Sequence, residues 1–137
     1  MASYWILKTE PSSYSFDDLV REGSTVWDGV KNALALKHIR TMKSGDRVLI
    51  YHSGKEKAAV GEAKIVSSPY PDPEAGDDKL SVVDIAAVER LDVPVDLKTI
   101  KADGAFADLA LVRMPRLSVV PATRAQWERI RKLGRTR

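Results

Sequence analysis

Apolar positions along this chain fall into short runs separated by turn residues, and their spacing assigns the elements. Residues 3–8 (SYWILK) are rich in β-formers and stop at Glu10-Pro11, which predicts a first strand. Ser15 followed three residues later by Asp18 is a capping-box-like start, so a short helix is expected from about 16 to 22, ending at Gly23. Thr25-Val26-Trp27 reads as a brief extended piece before an Asp28-Gly29 turn. From Val30 to Met42, the residues Val30, Ala33, Leu36 and Ile39 recur at spacing three, with Leu34 alongside. That spacing predicts an amphipathic helix carrying Lys37 and Arg40 on its opposite side, and Ser44-Gly45-Asp46 then breaks the chain.

Three β-like runs follow. Residues 47–52 are nearly all apolar and read as a buried central strand. From 59 to 65 the alternation puts Ala59, Gly61, Ala63 and Ile65 on one face, against Val60, Glu62 and Lys64 on the other. Three small residues in a row on one face leave room for something to approach closely. Residues 69–78 form a long turn-rich loop, and 80–91 are a third run with Val83, Ile85 and Ala87 opposite Val82, Asp84, Ala86 and Val88. After Pro94, Leu97 to Ile100 and Phe106 to Ala110 suggest two short helical turns, and 117–120 a final strand. Thr123 with Gln126 caps a last helix that carries Trp127 and Ile130 and stops at Gly134. The order β-α-β-α-β-β-β-α-β-α predicts an α+β fold, a small mixed barrel with helices outside. No internal repeat or linker divides residues 1–137, so one domain is expected.

Composition narrows the function more by exclusion than by indication. With 44% hydrophobic residues in 137 the chain can bury a core of its own, and 30% charged residues is ordinary for a surface. There is no cysteine, which removes disulfides, thiolate metal sites and cysteine nucleophiles. The formal charge is +3 and the pI near 9.2, a mild basic excess compatible with a nucleic-acid partner. No basic segment precedes a long apolar run at the N-terminus, and no stretch approaches the roughly 18 apolar residues of a membrane span. A cytoplasmic monomer that uses no membrane, metal or cofactor is expected.

The densest chemistry lies in Trp27-Asp28-Gly29-Val30-Lys31-Asn32, which joins an aromatic plane, a carboxylate, a hinge, a cation and an amide. Those are the parts needed to stack on a flat heterocycle and read its polar edge. Tyr4 to Pro11 and Tyr51-His52-Ser53 offer similar chemistry at the ends of expected strands. Trp5 and Trp127 are most simply core residues, whereas Trp27, beside a turn and polar neighbours, is read as a partly exposed stacking surface. Catalysis is not indicated. His38 and His52 lack metal-ligand spacing, and no GxSxG, P-loop or GxGxxG occurs. His52 and Ser53 are adjacent on a strand, so they point to opposite faces and cannot converge without a bend. Lys37, Arg40 and the basic tail of Arg124, Arg129, Arg131, Lys132, Arg135 and Arg137 form either a solvated face or a stripe that contacts phosphates.

Five segments in order, YWILKTEP, WDGVKN, GDRVLIYHSG, the YPDP loop and LVRMPRLSV, together resemble the EVE domain of the PUA-like group. The similarity runs from about Tyr4 to Ile130. It implies a compact pseudo-barrel with helices around it, similar in fold to YTH, PUA and ASCH domains, that binds a modified base of DNA or RNA in a pocket. By position it implies that Lys8, Thr9 and Glu10 line one wall, with Trp27 and Asp28 as cage tryptophan and hydrogen-bonding neighbour. Asn32 would close that motif, and Tyr51, His52 and Ser53 would form the opposite wall. Lys31, Arg113 and Arg116, with Arg129, Arg131 and Lys132 of the tail, are the expected backbone contacts. Two positions depart from the pattern: Lys31 stands where members commonly have arginine, and Leu80 where a tryptophan is often found. The expected function is a non-catalytic reader of a modified nucleobase, taken flipped into an aromatic and polar pocket. The alternatives are a sensor of a free nucleoside or small metabolite and an enzyme acting on a modified base. Only a polymer ligand needs the arginine and lysine stripe.

Overall fold

The computed structural model describes residues 2–76 and 79–135. Seven strands, β1 (Tyr4–Thr9), β2 (Ser24–Trp27), β3 (Arg47–His52), β4 (Ala58–Ile65), β5 (Tyr70–Pro71), β6 (Ser81–Asp96) and β7 (Val119–Ala122), form one sheet. The helices are α1 (Phe16–Glu22), α2 (Ala33–Thr41), α3 (Leu97–Ala102), α4 (Ala110–Arg113) and α5 (Arg124–Leu133). Strand order is β2-β6-β4-β3-β1-β7, with β5 paired to β6. Among the described residues only β1 and β3 run parallel, Tyr4 opposite Arg47 through Thr9 opposite His52. A parallel pair requires a crossover, and the segment holding α1, β2 and α2 supplies it. Helix α2 packs against both β6 and β7, spanning towards each other the two flanks of the curled sheet.

Local chemistry sets the helix ends. Ser15 and Asp18 make the expected reciprocal capping box on α1, and Gly23, at φ 81°, ends it. Thr123 and Gln126 repeat the device on α5. Helix α2 begins three residues later than its apolar spacing predicts, because the Asn32 side chain accepts from the Ala35 amide and caps it there. Val30 is buried ahead of the helix. Strand β6 runs on to Asp96, past Pro94, where the sequence places a break. Its pairing with β4 jumps from Arg90 opposite Gly61 to Val95 opposite Ala59, so Pro94 sits in a bulged excursion that requires no amide from it. Within the expected 69–78 loop, Tyr70–Pro71 pairs with β6, while Asp77 and Asp78 lie outside the described residues.

The small face of β4 is filled from within. Phe16, fully buried, lays its ring against Gly61, where an added Cβ would stand 2.3 Å from the ring. The close approach read from Ala59, Gly61 and Ala63 therefore serves helix packing. At the other side of the molecule Trp127 is 1% exposed, lies 5.3 Å from the Tyr4 ring and carries the Arg47 guanidinium 4.6 Å above it. Trp5, also buried, donates from its indole to Asp46 at 3.0 Å. Both tryptophans hold the core positions expected of them.

Candidate functional site

The turn that follows β1 begins the site. Glu10 accepts the Ser13 and Tyr14 amides through its backbone carbonyl, and the Thr9 hydroxyl donates to the Tyr14 carbonyl at 2.7 Å. This compact turn swings Tyr14 towards β2. There the Tyr14 and Trp27 rings meet edge to face, centroids 6.2 Å apart at 82°, forming an aromatic corner. Around it lies a half-open cavity of about 430 Å³ lined by Thr9, Ser13, Tyr14, Thr25, Val26, Trp27 and Asp28. That volume falls in the range of small-molecule sites.

Each wall has a distinct chemistry. Trp27 is 8% exposed and belongs to the core, so it is not the partly exposed plate expected from its neighbours; β2 pairs Trp27 with Val83 and turns it inward. Val26, next along the strand, faces out and is 42% exposed. Asp28 follows at the exposed lip, where no partner among the described residues fixes its carboxylate, and the turn continues through Gly29 at φ 76°. The Tyr14 phenol donates to Glu22, and burial followed by that bond pushes its pKa up to about 12. Tyr14 is therefore held as a neutral, oriented ring.

Of the residues expected on the walls, the fold brings Thr9, Trp27 and Asp28 together and gives the others separate employment. Lys8 donates to the Pro115 carbonyl at 2.8 Å and lies 5.7 Å from the Tyr51 ring, and burial lowers its pKa. Tyr51 is 3% exposed, within the core. His52 accepts the Phe16 amide on Nε2 at 2.9 Å and holds Glu56 through Nδ1 at 2.8 Å, joining β3 to the start of α1. Glu10 accepts from both the amide and the hydroxyl of Ser12 and lies against Gly54. Ser53 is a hairpin residue whose amide bonds to the Thr9 carbonyl, and Asn32 is a helix cap. These six are not among the residues lining the cavity. Ser13, Tyr14, Thr25 and Val26 line it and were not singled out in the sequence. Only the Tyr14 aromatic beside turn-forming serines could have signalled it.

The expected backbone contacts also divide. Lys31, Arg116 and Lys132 are exposed. Arg113 is 3.7 Å from Asp108, and Arg129 pairs with Asp103 at 2.6 Å. Arg131 is only 13% exposed, pairing with buried Glu62 at 2.8 Å and with Glu89, so its guanidinium is a structural clamp rather than a free phosphate ligand. Arg40 is likewise tied to Ser81 and the Lys79 carbonyl. Arg137 lies outside the described residues. Among those residues no group of three or more His, Asp or Glu side chains could hold a metal, and no helix is long and apolar enough to cross a membrane.

A curled, mostly antiparallel sheet sealed by short helices, with a polar cavity beside the first strand, defines a PUA-like α+β fold. An ASCH protein from Zymomonas mobilis shares this fold, with a TM-score of 0.59 at 11% identity over 96% of this chain and 95% of its own. Residues 3–133 match the EVE domain model, and the chain belongs to the EVE domain family. Rpa0253 from Rhodopseudomonas palustris, solved by NMR, is 41% identical with a TM-score of 0.92, covering 97% of this chain and 93% of that one. Human thymocyte nuclear protein 1 is 30% identical over 162 aligned positions, covering 93% of this chain and 72% of that protein. A crystal structure of human THYN1 protein in complex with 5-methylcytosine-containing DNA has a TM-score of 0.89 to this chain at 28% identity, covering 99% of each.

Proposed function

We propose that this protein is a non-catalytic reader of a modified nucleobase in DNA or RNA, and that the Tyr14–Trp27 cavity receives the flipped base. The observation that carries the reading is this aromatic corner with a free carboxylate at its lip, in a family with a member seen in complex with 5-methylcytosine-containing DNA. Extruding a base costs a few kcal/mol, and aromatic contact returns roughly 1–3 kcal/mol, so stacking alone about breaks even. Discrimination must come from the rim. Asp28 accepts from an exocyclic amine, the Ser13 and Thr25 hydroxyls donate or accept, and exposed Val26 offers an apolar surface to an added methyl group.

The test is a titration of two duplexes that differ only in one 5-methylcytosine. The parent protein should prefer the modified duplex, Tyr14→Ala should weaken binding by roughly 5- to 150-fold, and Asp28→Ala should reduce the preference. Equal affinity of the parent for both duplexes and for a panel of other modified bases would sink the reading. Equal affinity for a modified duplex and its free nucleoside would favour a metabolite sensor.

A further inference from the structure

A second concave surface lies on the hairpin between β3 and β4. It is a cavity of about 430 Å³ whose lining includes Lys55, Lys57, Lys98 and Lys101, with Glu56 and Asp96. The fold assembles it from two distant segments: the Leu97 amide bonds to the Lys57 carbonyl at 2.7 Å, docking α3 on the hairpin. All four lysines are exposed. Glu56 is held by His52 at 2.8 Å, and Asp96 caps α3 through the Thr99 amide at 2.8 Å while its charge is also felt by Lys98. Four exposed lysines against two carboxylates still leave an excess of positive charge on this surface.

The hairpin that carries this surface is tied to a wall of the aromatic cavity. The Ser53 amide bonds to the carbonyl of Thr9, itself a wall of that cavity, at 2.9 Å. The next hairpin residue, Gly54, lies against the Glu10 carboxylate, where any Cβ would stand 2.2 Å from an oxygen. From the other side Glu56 holds His52, which holds the Phe16 amide two residues beyond Tyr14. A strand with one base in the aromatic cavity can therefore carry its neighbouring phosphates onto the hairpin.

We propose that Lys55, Lys57, Lys98 and Lys101 form the phosphate-tracking surface of this protein, in place of the basic C-terminal helix. The inference rests on the base-reading function proposed above for its register, though not for its charge. Lysines suit the task as mobile point charges that contact backbone without reading sequence. On the C-terminal helix, by contrast, Arg129 and Arg131 are consumed by Asp103, Glu62 and Glu89.

The experiment measures duplex affinity against salt for three proteins: the parent, K55A/K57A/K98A/K101A, and R129A/K132A as the rival surface. Each neutralised phosphate contributes about 0.9 to the slope of log K against log salt. Expected is a slope flattened by roughly 3 to 4 in the lysine variant. Its affinity should fall at least tenfold for modified and unmodified duplexes alike, while its melting temperature is unchanged and R129A/K132A retains most of the parent's slope. An unaltered slope in the lysine variant, a larger loss in R129A/K132A, or a parent that binds neither duplex overturns the proposal. A parent indifferent to the modification but still flattened by the lysine changes would refute the base pocket and leave this surface standing.

Discussion

Individual residues here are fixed by how little room or freedom their neighbours leave. Gly61 is the plainest case: the Phe16 ring occupies the space of its missing Cβ, which if added would stand 2.3 Å from the ring. Gly61→Ala should destabilise by roughly 1–3 kcal/mol through overpacking, read as a lowered denaturation midpoint. Trp27 behaves as a core residue on its burial, so Trp27→Ala should cost roughly 3–5 kcal/mol and will confound any binding assay run on it. Tyr14 is the cleaner probe of the cavity, being half-buried beside it. Its raised pKa, about 12 against 10.0, means the neutral phenol is favoured on folding. The corresponding stabilisation is complete below about pH 10 and disappears as pH rises through about 12. An ultraviolet titration should show Tyr14 ionising late, together with Tyr70, whose bond to Asp84 and burial push it to a similar value. Tyr14→Phe should remove one of those late steps.

At the scale of elements, buried polar groups act as joints. Glu62 on β4 is held by Arg47 on β3 and Arg131 on α5, tying the last helix to the middle of the sheet. Arg131→Ala would leave Glu62 buried and half-paired. Breaking such a pair costs roughly 3–5 kcal/mol, so this variant should melt early, whereas Lys132→Ala, from an exposed position, should not. That contrast separates a clamp from a ligand contact. Asp46 performs the same service between β1 and the turn after α2, accepting from the Ser3 and Lys43 amides and the Trp5 indole. His52 works as a third joint, and its acceptor role towards Phe16 requires a neutral ring with the proton on Nδ1, facing Glu56.

For the whole molecule, topology decides what can face a ligand. The aromatic cavity draws on the end of β1, the turn before α1, and β2, which is not hydrogen-bonded to β1. The lysine surface draws on a hairpin and on α3, which follows the long β6. Neither site belongs to one element. The Ser53 amide, bonded to the Thr9 carbonyl, ties the hairpin of the second to a wall of the first.

By itself the sequence determined the elements whose information is local. Capping boxes at Ser15 and Thr123, the stop at Gly23, the apolar run of β3 and the burial of Trp127 follow from neighbours a few residues away. The run of motifs through the chain also carried the family and the fold. Tertiary structure decided the rest, because it depends on which distant groups meet. The Phe16 ring of α1 took the space that Gly61 offers, Arg90 to Val95 slipped past one residue of β4 to absorb Pro94, and β6 turned Trp27 inward. Lys8, His52, Asn32 and Arg131 have the right chemistry for a ligand, but each meets a partner inside the fold first. A side chain's type states what it can bind, and only its surroundings state whether it is still free to do so.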